Sequence, residues 1–411
     1  MKKIREILVA CSLAACCVVG GSAVIPKTEK GWKNVQLTAQ QTYSSNENAA
    51  QTSNGLQIQA KSAYLMESGS KTEIFSQNAE KRLPIASMCK IMTLLLTFEA
   101  IERGDLTMEE EICVSPRAAS MGGSQVFLEA NAKYPVKELI KSIVVCSAND
   151  SCVALAERIS GSEGIFVDKM NEKALQIGAD NTLFANCTGL PKEPQYSCAK
   201  DVAFMLNYLT GYEDYFRFGK IWTDKFQHPE GRYTEISNTN RLVRFYDGCD
   251  GGKTGFTNQA GFCLAATAKR NNMRVISVVI GEETSNNRFN DVRSMFDYAF
   301  ANYQLKSVVN ETDVLQEKIP VTGGKYPEIG AKAQRSAYVF TQRGESVDVS
   351  VETRLFEKVK APINKGDKVG EIVVYKNNVE CDRLAVVATE DCPSATFIDN
   401  FRKVANHWTI R

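Results

Sequence analysis

Ile85-Ala86-Ser87-Met88-Cys89-Lys90, running on into Ile91-Met92-Thr93-Leu94-Leu95-Leu96, sets a serine and a lysine three residues apart at the mouth of an apolar stretch. Pro84 precedes the stretch and Gly104 stops it, so the pattern predicts one long helix over Ser87–Arg103. Positions i and i+3 share a helix face, which brings the Lys90 amine within reach of the Ser87 hydroxyl. A lysine held among apolar side chains loses basicity and can act as a base. The helix N-terminus favours negative charge and so favours an oxyanion forming at Ser87. Taken alone, the serine could equally be an ordinary N-cap.

Two further stretches give this one context. Ser147-Ala148-Asn149 falls between predicted helices at Val136–Val145 and Ser151–Ile159. Lys253-Thr254-Gly255 falls just before a predicted β-hairpin, Ala260–Thr267 and Met273–Ile280, joined through Lys269–Asn272. Ser147 can relay a proton between Lys90 and a leaving amine. Asn149 can hydrogen-bond a substrate peptide carbonyl. Lys253 offers a fixed positive charge and Thr254 a hydroxyl to a substrate carboxylate. Gly255 lets a backbone-like ligand approach closely.

S-x-x-K, S-x-N and K-T-G in this order are the motif set of penicillin-binding proteins and serine β-lactamases. From Leu56 to the C-terminus the chain resembles the low-molecular-weight penicillin-binding proteins, the D-alanyl-D-alanine carboxypeptidases of peptidase family S11. Met121-Gly122-Gly123-Ser124, Asn186-Cys187-Thr188-Gly189-Leu190, Ala260-Gly261-Phe262 and Ala361-Pro362-Ile363-Asn364-Lys365-Gly366-Asp367 carry the resemblance beyond the motifs. It implies an α+β fold: a β-lactamase/transpeptidase-like domain with an antiparallel sheet flanked by helices, then a small all-β sandwich. It also implies a reaction. Lys90 deprotonates Ser87, which attacks the bond between the two terminal D-alanines of a peptidoglycan stem pentapeptide. The oxyanion rests on the backbone N–H groups of Ser87 and Phe256. Water then clears the acyl-enzyme, and β-lactams act as inhibitors that acylate Ser87. No cofactor and no metal are implied.

The chain departs from the family pattern in places. Cys89 lies inside the first motif and Cys146 directly before the second. Gln195-Tyr196-Ser197 stands where His-Tyr-Ser/Thr is frequent. Phe256 follows K-T-G in place of His or Tyr, and it has no side-chain donor. Three rival functions bear weighing. A serine β-lactamase shares the three motifs, but no E-x-x-x-N pattern occurs between Gly161 and Ser197. A non-catalytic β-lactam or cell-wall sensor is opposed by the intact Lys90, Ser147 and Lys253. A transpeptidase would pass the acyl group to an amine instead of water.

Composition narrows the field. Lys+Arg is 49 and Asp+Glu 48 over 411 residues, a balance that argues against a broad nucleic-acid surface. There are two histidines, His228 and His407, so histidine-based triads and multi-histidine metal sites are poorly supplied. Of 13 cysteines, Cys11, Cys16 and Cys17 lie in the N-terminal segment and none forms a CxxC pair. Several of those beyond it sit in apolar patterns, and the ten are expected to be mostly free, buried thiols.

Residues 1–25, with Lys2, Lys3 and Arg5 before an apolar run, read as a signal peptide; Leu13-Ala14-Ala15-Cys16 offers lipidation as a second possibility. Residues 26–55 read as a linker, 56–304 as the catalytic domain and 305–392 as the β domain. Residues 393–411 read as an amphipathic helix, with Phe397, Ile398, Phe401, Val404, Ala405 and Trp408 on one face, lying on a membrane surface or packed back on the protein. The expected location is the extracytoplasmic face of the cell membrane or the cell wall.

Overall fold

The computed structural model describes residues 31–35 and 56–408. The signal segment lies outside them, as does the linker except for its residues 31–35. The chain divides into two compact units.

The unit holding residues 56–305 and 340–345 is built on a five-stranded antiparallel sheet. Its strands are β1 (Ser62–Glu67), β2 (Glu73–Gln77), β3 (Cys249–Thr257), β4 (Gly261–Arg270) and β5 (Met273–Glu282), in spatial order β2-β1-β5-β4-β3. Strands β4 and β5 form the expected hairpin, with Arg270 opposite Met273. The turn is tighter than the sequence indicates: Asn271 and Asn272 alone make it, both at positive φ (47° and 67°). That is the type I′ geometry whose twist matches a β-ribbon and which asparagine tolerates. Lys253-Thr254-Gly255, expected ahead of the hairpin, lies inside β3 as a third strand paired to β4.

Helices cover the sheet: α1 (Lys90–Glu102), α2 (Val136–Cys146), α3 (Asn149–Ser160), α4 (Glu163–Gln176), α5 (Ala199–Leu209) and α6 (Ser285–Asn302). Helix α1 is buried almost all round, from Lys90 to Phe98, as a helix apolar on every face must be. The expected single helix from Ser87 is in fact a 3₁₀ turn, Ala86–Cys89, feeding α1. Helices α4 and α5 and the small hairpin Thr223–Gln227/Tyr233–Ser237 are elements the sequence pattern did not signal.

The other unit is all-β apart from its last helix. Strands β6 (Ala331–Ala333), β7 (Val349–Phe356), β8 (Lys368–Lys376) and β9 (Val379–Ala388) join Trp32–Val35 in an antiparallel sheet. A smaller sheet of Ile319–Thr322, Glu328–Ile329 and Val359–Lys360 shares one core with it, through Ile319, Ile329, Ile372 and Val386. This is the expected sandwich. The β8–β9 hairpin again turns on two asparagines at positive φ, Asn377 and Asn378. Trp32–Val35 corrects the linker reading: a four-residue segment inside a polar stretch pairs with β7 as an edge strand. Helix α7 (Phe397–Trp408) closes the described chain, with Phe397, Ile398 and Phe401 exposed.

Candidate active site

Ser87 and Lys90 meet as the spacing predicts. In a 3₁₀ turn residues i and i+3 eclipse one another, and Lys90 Nζ donates to Ser87 Oγ at 3.0 Å. A second bond, 2.5 Å to the Thr188 carbonyl, aims the amine. Lys90 is completely buried, and desolvation lowers its pKa below the ordinary lysine value. Ala86, directly before the nucleophile, sits at φ +47°, a conformation that costs a non-glycine residue roughly 1 kcal/mol. Gly189 explains how it is held. A Cβ there would stand 2.0 Å from the Ala86 carbonyl oxygen, so the 186–190 loop packs directly on the nucleophile turn.

That loop is fixed from several sides. Asn186 Oδ1 accepts from the N–H groups of Thr188 and Gly189. Gln195 Oε1 accepts from Ala185 and Asn186 N–H at 3.1 and 3.2 Å, and its Nε2 donates to the Leu190 carbonyl. The glutamine that departs from the family pattern therefore fastens the loop that bonds Lys90. No motif marked Gln195 for this role.

Ser147 ends α2 in the left-handed conformation, φ +68°. Its hydroxyl is buried without a hydrogen-bond partner. Asn149 opens α3, and its Nδ2 donates to the Gly122 carbonyl at 2.7 Å. Its Oδ1 is buried without a partner and Nδ2 keeps a second N–H, so Asn149 can donate to a substrate carbonyl, as expected, and can also accept from a substrate N–H. Asp150 accepts from the backbone N–H groups of Val126 and Leu128, tying the 122–128 loop to α3.

Lys253, Thr254, Gly255 and Phe256 sit on β3. A Cβ on Gly255 would lie 2.7 Å from the Ile85 carbonyl oxygen and 3.3 Å from the Ser87 nitrogen. Only glycine lets this strand touch the nucleophile turn. Thr254 Oγ1 donates to Thr239 Oγ1, and the Thr239 N–H donates to the Val145 carbonyl, which links β3 to the end of α2. Lys253 is buried, its Nζ donates to the Thr254 carbonyl, and desolvation together with nearby Lys90 lowers its pKa to about 7. Phe256 is half exposed and stacks on Phe262 at 4.3 Å.

Arg288, near the start of α6, has no sequence signature. Its Nη1 donates to the carbonyls of Gly255 and Cys263, residues paired across β3 and β4, so it clamps the strand beside the nucleophile.

The other candidates are quiet. Cys89 is fully buried, its thiol donates to the Asn186 carbonyl, and burial pushes its pKa up. Cys146 is likewise pushed up to about 11. Both pack as small side chains. His228 is engaged elsewhere: Arg232 can only donate, so Nδ1 accepts, and Nε2–H faces Thr234 Oγ1 at 2.9 Å. Among the described residues no cluster of three or more His, Cys, Asp or Glu could hold a metal.

Residues 46–284 match the D-alanyl-D-alanine carboxypeptidase family, peptidase S11, and residues 303–394 match the C-terminal domain of penicillin-binding protein 5. The chain belongs to the D-alanyl-D-alanine carboxypeptidase family. It is 40% identical to the D-alanyl-D-alanine carboxypeptidase DacF of Bacillus subtilis, over 85% of this chain and 90% of that one. Its fold is similar to that of a peptidoglycan synthesis regulatory factor (PBP3) from Streptococcus pneumoniae. The TM-score is 0.69 and the identity 28%, over 82% of this chain and all of that one. It is also similar to penicillin-binding protein D2 of Listeria monocytogenes, solved in a cefotaxime-bound form. There the TM-score is 0.54 and the identity 28%, over 60% of this chain and 98% of that one. This family and its transpeptidase-like fold agree with the reading of the three motifs.

Proposed function

We propose that this chain is a serine-type D-Ala-D-Ala carboxypeptidase that trims peptidoglycan stem pentapeptides through an acyl-enzyme on Ser87. The observation that carries the reading is the buried Lys90 amine, with its lowered pKa, 3.0 Å from the Ser87 hydroxyl. Neutral Lys90 takes the Ser87 proton as Oγ attacks the D-alanyl carbonyl. The oxyanion is received by the backbone N–H groups of Ser87 and Phe256, beside which Gly255 admits the substrate. Ser147 passes the proton from Lys90 to the leaving amine. Asn149 donates its second Nδ2–H to the substrate peptide carbonyl. Protonated Lys253 takes the terminal carboxylate, joined by the Thr254 hydroxyl as it turns from Thr239. Water attacks the ester, Ser87 recovers its proton and the shortened peptide leaves.

A lactamase reading lacks support. Glu163, the carboxylate beside the 186–190 loop, is committed to Arg117 and to Cys187 N–H. The intact Ser87–Lys90 pair likewise speaks against an inert sensor. Benzylpenicillin separates the three. A carboxypeptidase is labelled on the peptide containing Ser87 and releases the label slowly. A lactamase destroys the drug rapidly. A sensor is labelled but frees no D-alanine from a pentapeptide.

Substrate and fold together support work outside the cytoplasm, delivered by the N-terminal signal. The exposed Phe397, Ile398 and Phe401 of α7, with Arg402 beside them, support a helix lying on an anionic membrane surface. No helix among the described residues is long and apolar enough to cross a membrane.

A further inference from the structure

Two carboxyl groups that the reaction does not use are buried where β5 runs into α6. Glu282 ends β5, and Asp291 lies in the second turn of α6. The local backbone explains how a glutamate comes to face inward. Strand β5 bulges between Val279 and Glu282, with Gly281 at φ +85°. A bulge re-aims the side chains beside it.

Asp291 is well supplied with donors. Its Oδ2 accepts from the Gln59 N–H at 2.7 Å and the Ala60 N–H at 3.3 Å. Glu282 is not: both its carboxyl oxygens are buried and meet no donor among the described residues. What it touches is the Asp291 carboxyl. The charged and titratable groups nearby do not help. Lys61 lays its side-chain stem on Gly281, and Arg288 is turned to the carbonyls of Gly255 and Cys263. Glu283 adds like charge, and Cys263 is a buried thiol.

Two ionised carboxylates in contact repel, and a buried anion without a partner is costly. A proton on one of them removes the repulsion and supplies the missing donor. Asp291 already accepts two N–H groups, which favours its charged form, so the proton belongs to Glu282. Burial first, then Asp291 and Glu283, push the Glu282 pKa up to about 8.

We propose that Glu282 and Asp291 form a buried proton-binding site, in which protonated Glu282 donates to the Asp291 carboxylate and fastens β5, α6 and the Gln59–Ala60 segment together until alkaline pH removes the proton. The tie lies close to the reaction strand without touching substrate. Asp291 is one helical turn from Arg288, which clamps Gly255. Glu282 pairs across β4 with Phe262, which stacks on Phe256. The unfolded chain releases this proton near the ordinary value of 4.5 and the folded chain near 8. The stabilisation is therefore complete below about pH 4.5 and is lost as pH rises to about 8.

The test compares the full-length wild type with Glu282→Gln, whose amide N–H replaces the proton, and with Asp291→Asn, whose amide donates to an ionised Glu282. Melting temperatures are followed from pH 5 to pH 9. Each variant should gain on the wild type as pH rises, by roughly 4 °C at pH 9. After incubation at pH 9, the wild type should lose benzylpenicillin labelling of Ser87, read at pH 7, severalfold faster than Glu282→Gln. After incubation at pH 5 the two should decay alike. An infrared band of a protonated carboxyl, present in the wild type at pH 6 and gone at pH 9, reports the proton directly and needs no folded variant. A melting gap that does not change with pH, equal decay at pH 9, or no such band overturns the site. The labelling readout rests on the carboxypeptidase reading. A wild type that is never labelled counts against that reading, and the melting and infrared results then decide the carboxyl pair by themselves.

Discussion

Lys90 and Lys253 face each other's field inside a site that water barely enters, and the reaction asks opposite things of them. Lys90 must be neutral to take a proton, and burial makes it so. Lys253 must be charged to hold a carboxylate, yet burial and Lys90 bring its pKa to about 7. A pH profile follows. The rising limb of kcat/KM belongs to Lys90 losing its proton. The falling limb, from about pH 7 upward, belongs to Lys253 losing its own, because kcat/KM reports the free enzyme. A peptide whose terminal carboxylate is replaced by an amide should lack the falling limb. A limb unchanged in the amide would remove Lys253 from carboxylate binding. At this scale the sequence shows which residues meet, since the spacing of Ser87 and Lys90 already places them on one face. It does not show their state. The charge of Lys253 depends first on its burial and then on Lys90, a neighbour far along the chain. Gln195 and Arg288 act on backbone carbonyls and N–H groups, which any sequence supplies, so no motif announces them.

Among the elements, the 186–190 loop matters most, because it sets both Lys90 and the turn before Ser87. Gly189→Ala would press a Cβ to 2.0 Å from the Ala86 oxygen at a backbone φ of +80°. The turn must shift, and penicillin labelling of Ser87 should slow roughly 10²-fold, the scale of an ångström-level misplacement. Labelling at the wild-type rate would show that the turn does not rest on this loop. The small hairpin carrying His228 makes a separate prediction. Burial first, and then Arg232, lowers the His228 pKa against the pull of Glu129. The unfolded chain therefore takes the proton first as pH falls, and stability that is complete above about 6.5 is lost below it. The melting temperature should drop between pH 7 and pH 5 by a few degrees more in the wild type than in His228→Gln. Identical slopes would show that His228 does not titrate across folding. The β4–β5 hairpin was legible as two β-type runs joined by the polar Lys269–Asn272. The hairpin at Thr223–Gln227 was not, because its strands are polar and mostly exposed, with Phe226 and Ile236 alone buried to mark them.

Across the whole molecule, the antiparallel sheet with its helices and the following all-β unit were both readable. The first came through the motif set and the family resemblance, the second through short β-type runs broken by Gly, Pro and Asn. Trp32–Val35 escaped because four residues in a polar stretch carry too little pattern to be read as a strand. All ten cysteines among the described residues are free, and seven are buried, in keeping with their apolar surroundings in the sequence. The α7 helix gives a test at this scale. Removing residues 397–411 should abolish co-sedimentation with anionic vesicles while D-alanine release from a soluble pentapeptide continues. Vesicle binding that survives the deletion would place the membrane contact elsewhere. The most direct measurement is release of D-alanine from a stem pentapeptide by the full chain, beside its Ser87→Ala variant. Steady multiple turnover by the wild type and no release above background by the variant are the expected results. Equal release from both, or none from the folded wild type, would contradict a Ser87 carboxypeptidase.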